Sequence, residues 1–194
     1  MKEMEFSSKQ ELRSRYLAYR DSLSLEERKE KSARIWEQLK RETLYRDASN
    51  ILVYMDYRSE VMTTGLVEKL FGTEKKVFAP KVEGMEIQFY QVESMEDLAS
   101  GYQGIREPED NPEKRFDLQR AKEAESLILV PLTVFDRERG RMGYGKGFYD
   151  RYLAAFPMLH SVALAFACQM AGKVPVEMHD RKPDMIITEK EIIR

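Results

Sequence analysis

The chain has 194 residues, 42% hydrophobic and 34% charged, enough for one compact domain with a real core over residues 1–194 and too few for two large ones. Its 32 basic and 34 acidic residues leave a net charge of -2, so no global field gathers nucleic acid or anionic membrane, and anion binding has to be local. A single cysteine, Cys168, excludes an internal disulfide and, beside only 2 histidines, disfavours a thiolate zinc site.

Met1 to Arg15 contains no continuous apolar stretch, and no later segment approaches the length of a membrane span. Together with the lone cysteine this predicts a cytoplasmic protein with no membrane and no nucleic-acid partner.

Lys9 to Leu23 carries Leu12, Tyr16, Leu17, Tyr19 and Leu23 at helical spacing, which predicts an amphipathic first helix. Ser24-Leu25-Glu26-Glu27 reads as a capping box that opens a second helix running to about Lys40. Short apolar runs then predict strands over Ile51 to Met55, Lys76 to Val82, Ile87 to Val92, Leu127 to Phe135, Val162 to Phe166 and Met185 to Ile193. Helices are predicted between them over Thr64 to Phe71, Ser94 to Ala99 and Phe148 to Phe156. Strands alternating with helices argue for a single three-layer α/β/α domain. Gly101 to Glu125, rich in Pro, Glu, Asp and Gly, reads as an irregular excursion over a site.

The chemistry concentrates in the segment from Leu127 to Leu153, which reads as buried strand, glycine loop and helix. Gly140, Gly143, Gly145 and Gly147 let backbone N–H groups close on phosphate oxygens, the helix start adds its positive end, and Arg141 and Lys146 add full charges. Gly140 to Lys146 fits the first seven positions of a Walker A loop, but Gly147 stands where a magnesium-binding hydroxyl belongs, so an ordinary P-loop NTPase is rejected. The spacing Gly143-x-Gly145-x-Gly147, late in the chain, also fails the dinucleotide fingerprint. Glycines alone would equally suit a solvated connection, and the flanking residues decide between the two.

Arg141-Met-Gly-Tyr-Gly-Lys-Gly-Phe-Tyr-Asp150, preceded by Val130-Pro131 and Phe135-Asp136, resembles the signature of the 5-formyltetrahydrofolate cyclo-ligase family. The resemblance extends to Lys9-x-x-Leu12-Arg13, Leu23 to Glu27, Gly104 to Pro108, and the late Val174-Pro175 with Asp180, Asp184 and Thr188-Glu189. It implies a Rossmann-like sheet of the sugar-phosphate isomerase and CoA-transferase type. It also implies ATP-dependent closure of 5-formyltetrahydrofolate to 5,10-methenyltetrahydrofolate through phosphorylation of the formyl oxygen, with Mg2+ as cofactor and ATP as co-substrate.

Carried residue by residue, the resemblance makes Lys146, Arg141 and Tyr149 catalytic. ATP would be bound by Lys9, Arg13, Arg141, Met142, Gly143, Tyr144, Gly145, Lys146, Gly147, Phe148, Tyr149 and Asp184. The folate would meet Tyr57, Glu60, Met62, Tyr144 and Phe148, and the metal Asp150 and Asp184. Met62 and Phe148 depart from the family pattern, which expects a polar side chain at the first and a tyrosine at the second. Taken singly, Lys9 and Arg13 suit a solvated helix face, Asp150 a helix start and Asp184 a turn. His160 and His179 match no ligand spacing and receive no chemistry. The protein is expected to act on small molecules as a monomer, with a homodimer as the alternative. Two other readings stay open, a non-catalytic nucleotide- or folate-binding relative and a phosphate-ester enzyme on the same fold.

Overall fold

The computed structural model describes residues 8–194, so the reading of the first seven residues as leaderless lies outside the described residues. Ser8 caps the first helix, α1 (Lys9–Asp21), by accepting a hydrogen bond from the Glu11 amide. The predicted capping box opens α2 (Leu25–Arg41), with Ser24 Oγ and the Glu27 carboxylate satisfying each other's backbone donors. A short α3 (Thr43–Asp47) leads into β1 (Asn50–Leu52). There follow α4 (Thr64–Leu70), β2 (Lys76–Glu83), β3 (Glu86–Val92), β4 (Leu98–Ser100), β5 (Arg106–Pro108) and α5 (Leu118–Glu123). The chain ends through β6 (Ser126–Pro131), β7 (Val134–Phe135), β8 (Arg141–Met142), α6 (Phe148–Ala155), β9 (His160–Leu164), β10 (Met185–Ile187) and β11 (Ile192–Ile193).

Seven strands form one sheet in the order β11-β10-β9-β6-β1-β2-β3. The five inner strands are parallel, and β3 and β11 add to the edges antiparallel. Both faces are buried, as a parallel sheet requires. Ile51, Val77, Leu127, Leu129 and Val162 pack on one face with Ile35 and Leu39 of α2 and Leu66 and Leu70 of α4. Leu52, Phe78, Ile128, Val130 and Ala163, one residue out of step, pack on the other with Tyr152 and Leu153 of α6. The alternation produces the three layers expected from the sequence.

Several predicted elements differ in extent. Leu127 to Phe135 is not one strand: after Pro131 the chain leaves the sheet, and the Thr133 amide turns to Met142 O at 2.7 Å to open the β7–β8 hairpin. Met185 to Ile193 is a hairpin, because the Thr188 hydroxyl accepts from the Lys190 and Glu191 amides and reverses the chain. Ser94 to Ala99 contains one 3-10 turn and then β4. Gly101 to Glu125 is more ordered than its composition suggests, since it contributes β5, which pairs with β4, and α5.

Candidate active site

From β1 the chain moves to β2 on one side of the sheet, and from β6 it moves to β9 and β10 on the other, so strand order reverses between β1 and β6. Crevices beyond the carboxyl ends of strands at such a reversal are where open α/β sheets bind ligands. A cleft of about 600 Å³ lies there, walled by Tyr54 and Tyr57 after β1, Pro131 and Leu132 at the end of β6, and the glycine loop.

Buried hydrogen bonds hold that loop from below. The Asp136 carboxylate, 3% exposed, accepts from the Glu138 and Gly140 amides at 2.9 and 2.8 Å and from the Val174 amide at 2.7 Å. A Cβ at Gly140 would stand 2.7 Å from the same carboxylate, so only glycine lets the hairpin close. Gly147 takes φ +67° as the residue that starts α6, a left-handed turn costly to other residues. The first-turn residues Phe148, Tyr149 and Asp150 line the cleft, and a helix start carries unpaired N–H groups and a partial positive charge.

Cations converge on the loop from three elements. Arg141, 5% exposed, donates to Asp150 Oδ1 at 2.8 Å and to Arg181 O at 3.1 Å. Burial pulls its pKa down, and the carboxylates of Asp150 and Asp180 oppose that shift. Arg13 Nε donates to Gly143 O at 2.8 Å, and its guanidinium lies 3.4 Å from where a Gly145 Cβ would sit. Lys9, one turn earlier on α1, pairs with Glu177 at 2.6 Å and approaches Asp180 at 3.7 Å. Lys146 is exposed at the tip of the loop and has no hydrogen-bonded or ionic partner among the described residues.

The opposite wall is built by the turn between β1 and α4. Asp56 Oδ1 accepts from the Thr63 and Thr64 amides, both at 2.8 Å, and Tyr54 Oη donates to Val61 O at 3.0 Å. These bonds turn Glu60 inward, where its Oε2 accepts from the Tyr57 amide at 2.9 Å. Burial pushes the Glu60 carboxyl up to about 7, against the opposing charge of Arg20. Tyr57 and Tyr144 meet edge to face with centroids 6.2 Å apart. Tyr149 is pushed well above the ordinary phenol range by burial, so it faces the cleft as a neutral hydroxyl. Of the adjacent pair, Tyr149 packs against both cores and Phe148 against one.

Most of the residues expected at the site are therefore brought together: Lys9, Arg13, Tyr57, Glu60, and Arg141 to Asp150 all line this cleft. Two are not. Asp184 lies at the start of β10, where its Oδ2 accepts from the Ser161 amide at 2.8 Å beside the start of β9. The cleft opens beyond the other ends of these strands, so the expected ATP and metal contacts of Asp184 are not placed there. The cleft carboxylate is Asp180, four residues earlier. Met62 also stands outside the lining, its amide donating to Ser32 Oγ at 3.0 Å, so its departure from the family pattern removes no polar group from the cleft.

Sequence reasoning missed Glu177, Glu107, His179 and Arg20. Glu107, 8% exposed, lines the cleft and accepts from the Val82 amide at 3.1 Å. His179 lines the mouth, 3.4 Å from Glu177. Glu107 lay inside the matched Gly104 to Pro108 segment, but no local pattern marked the others.

Asp150 and Asp180 give the cleft two carboxylates next to its cations, and among the described residues no group of three or more His, Cys, Asp or Glu forms a metal cage. That set suits Mg2+, which keeps its waters and binds through one or two carboxylates together with substrate phosphates.

The family model described as "5-formyltetrahydrofolate cyclo-ligase family" matches residues 5–189. The chain is 31% identical to a probable 5-formyltetrahydrofolate cyclo-ligase of Schizosaccharomyces pombe, covering 77% of this chain and 79% of that protein. It is 27% identical to the mouse 5-formyltetrahydrofolate cyclo-ligase, covering 94% of each. Its fold matches the solved 5,10-methenyltetrahydrofolate synthetase of Aquifex aeolicus with a TM-score of 0.83 at 34% identity, over 96% of this chain and 92% of that one. The chain belongs to the 5-formyltetrahydrofolate cyclo-ligase family.

Proposed function

We propose that this protein closes 5-formyltetrahydrofolate to 5,10-methenyltetrahydrofolate while ATP is converted to ADP and phosphate. The observation that carries the reading is one cleft at the sheet's reversal point with a cationic glycine loop on one wall and a buried, inward-facing carboxyl on the other.

The formyl oxygen attacks the γ-phosphorus, the new P–O bond forms as the bond to ADP breaks, and the N5-formyl group becomes an iminophosphate. N10 then attacks the formyl carbon, loses its proton, and phosphate departs. Phosphoryl transfer of this kind asks mainly for positioning and charge neutralisation. Backbone N–H groups of the loop and the start of α6 hold phosphate oxygens, and Lys146 and Arg141 balance the charge that builds on the transferring group. Lys9 and Arg13 hold the polyphosphate from α1. Tyr149, a neutral phenol, can donate a hydrogen bond at the reacting oxygen. Glu60, Tyr57, Tyr144 and Phe148 orient the folate. Asp150 and Asp180 would hold Mg2+, which when bound shields the phosphate charges.

The single free Cys168 suits a reducing compartment, so cytoplasmic location belongs to the proposal. No helix of the described residues is long and apolar enough to cross a membrane. A monomer belongs to the proposal as well, with a homodimer as the alternative. The test is the absorbance of the methenyl product in a mixture of protein, Mg2+, ATP and 5-formyltetrahydrofolate. ATP-dependent growth that is lost in Lys146→Ala supports the proposal, and no growth in the wild-type protein refutes it.

A further inference from the structure

Behind the folate wall lies a cation that does not itself line the cleft. Arg20, in the last turn of α1, is 1% exposed. Its guanidinium ties three other segments together: Nε donates to Ser59 Oγ at 2.9 Å, Nη1 to Leu132 O at 3.2 Å and Nη2 to Tyr144 Oη at 2.6 Å. The Ser59 hydroxyl in turn donates a hydrogen bond to the Asp21 carboxylate. The guanidinium carbon also lies 5.7 Å from the centre of the Tyr144 ring.

A buried arginine is costly unless its donors and its charge are both answered, and removing its compensation leaves the cost in place. Here the direct partners are neutral oxygens, and the answering carboxylates are Asp21, through Ser59, and Glu60. The rigid fork of arginine lets one group fix the end of β6, the turn bearing Glu60 and the glycine loop at once.

We infer that Arg20 is a positioning residue for the folate side of the cleft, fixing the Tyr144 hydroxyl from behind and setting the electrostatic field at the Glu60 carboxyl. The inference rests on the assignment of Glu60 and Tyr144 to the folate. Glu60 is faced by Arg20 from α1, by Asp56 and the Tyr57 amide from its own turn, by Tyr54 from the end of β1, by Tyr144 from the glycine loop and by Tyr149 from α6. Arg20 is the cation in that set. Burial and Asp56 both favour the neutral acid, and Arg20 is the largest opposing influence.

The direct test follows the side-chain carboxyl carbon of Glu60 by ¹³C NMR through a pH titration of the full chain, assigned by its loss in Glu60→Gln. In Arg20→Met the midpoint is expected to rise by about one pH unit or more, and in Arg20→Lys, which keeps the charge, to stay close to that of the wild type. An unchanged midpoint in folded Arg20→Met overturns the inference. In kinetics, Arg20→Lys loses the fork, so the KM for the reduced folate is expected to rise about tenfold and by more than the KM for ATP. Equal rises in both, or none, overturn it. If Arg20→Met does not fold, Tyr144→Phe removes the other end of the contact. It should reproduce the folate KM of Arg20→Lys and add nothing to it, and full additivity overturns the inference. A wild-type protein without cyclo-ligase turnover refutes the proposed function, whereas the NMR titration decides the effect of Arg20 on Glu60 either way.

Discussion

Arg141 Nη2 lies 2.8 Å from Asp150 Oδ1, with side-chain exposures of 4% and 18%, so the buried cation beside the glycine loop is locked to the carboxylate at the start of α6. The same oxygen accepts from the Arg181 amide at 2.9 Å, which ties the pair to the segment that carries Asp180. Replacing Asp150 by alanine therefore does two things. It leaves a buried guanidinium without its counter-ion, expected to cost about 3 kcal/mol in urea denaturation, and it frees Arg141 from its place in the cradle. Turnover should fall about 100-fold or more.

Lys146 is the contrasting case. It is exposed and without a partner among the described residues, so Lys146→Ala should change stability by less than about 0.5 kcal/mol. Its charge is available to a ligand, and turnover should drop about 100-fold or more. Thermal melts beside steady-state rates separate the two effects.

Glu60 gives a pH signature. Its folded-state pKa is raised to about 7 from an ordinary 4.5. Below the lower value both folded and unfolded chains hold the proton, between the two only the folded chain does, and stability falls as pH rises through that window. The full loss, about 3 kcal/mol, is reached above about pH 7. Glu60→Gln does not titrate, so it should gain about that much on the wild-type protein between about pH 5 and about pH 8 in urea denaturation, while its affinity for folate drops.

Gly145 has φ +88°, with the Arg13 guanidinium 3.4 Å from where a Cβ would be. Gly145→Ala should cost about 1–2 kcal/mol through backbone strain at this left-handed φ and raise the KM for ATP by shifting the loop that Arg13 holds at Gly143 O. A variant that keeps both values would show that the loop takes another conformation.

Asp184 and Asp180 separate the two possible second carboxylates. Asp184→Asn should lower stability by about 1 kcal/mol, through its bond to the Ser161 amide, and leave the Mg2+ dependence of turnover unchanged. Asp180→Asn should raise the Mg2+ concentration needed for half-maximal rate. The reverse outcome would return the metal to the start of β10.

How much the sequence revealed depended on the range of the interaction. The capping box at Ser24 and Glu27, the buried strands and the glycine loop before α6 were legible because each is a local pattern, set by hydrogen bonds or periodicity within a few residues. The split of Leu127 to Phe135 was not, because Val134 and Phe135 are as apolar as the strand before them and only pairing with Arg141 and Met142 turns them out of the sheet.

The family and the glycine-rich loop proposed to hold phosphate were thus legible in the sequence alone, since a glycine-rich run with Arg141, Lys146 and Asp150 at fixed spacing is itself a chemical arrangement. Which carboxylate shares the cleft with Asp150 was decided only by the tertiary structure. Asp180 and Asp184 are four residues apart in one irregular segment, but the sheet carries Asp184 to the start of its strands while Asp180 faces the cleft beyond their ends. Arg20 shows the same limit. In the sequence it is one more charge on an amphipathic helix, and it becomes the most buried cation of the folate wall only when Ser59, Leu132 and Tyr144, between 39 and 124 residues away, close around it.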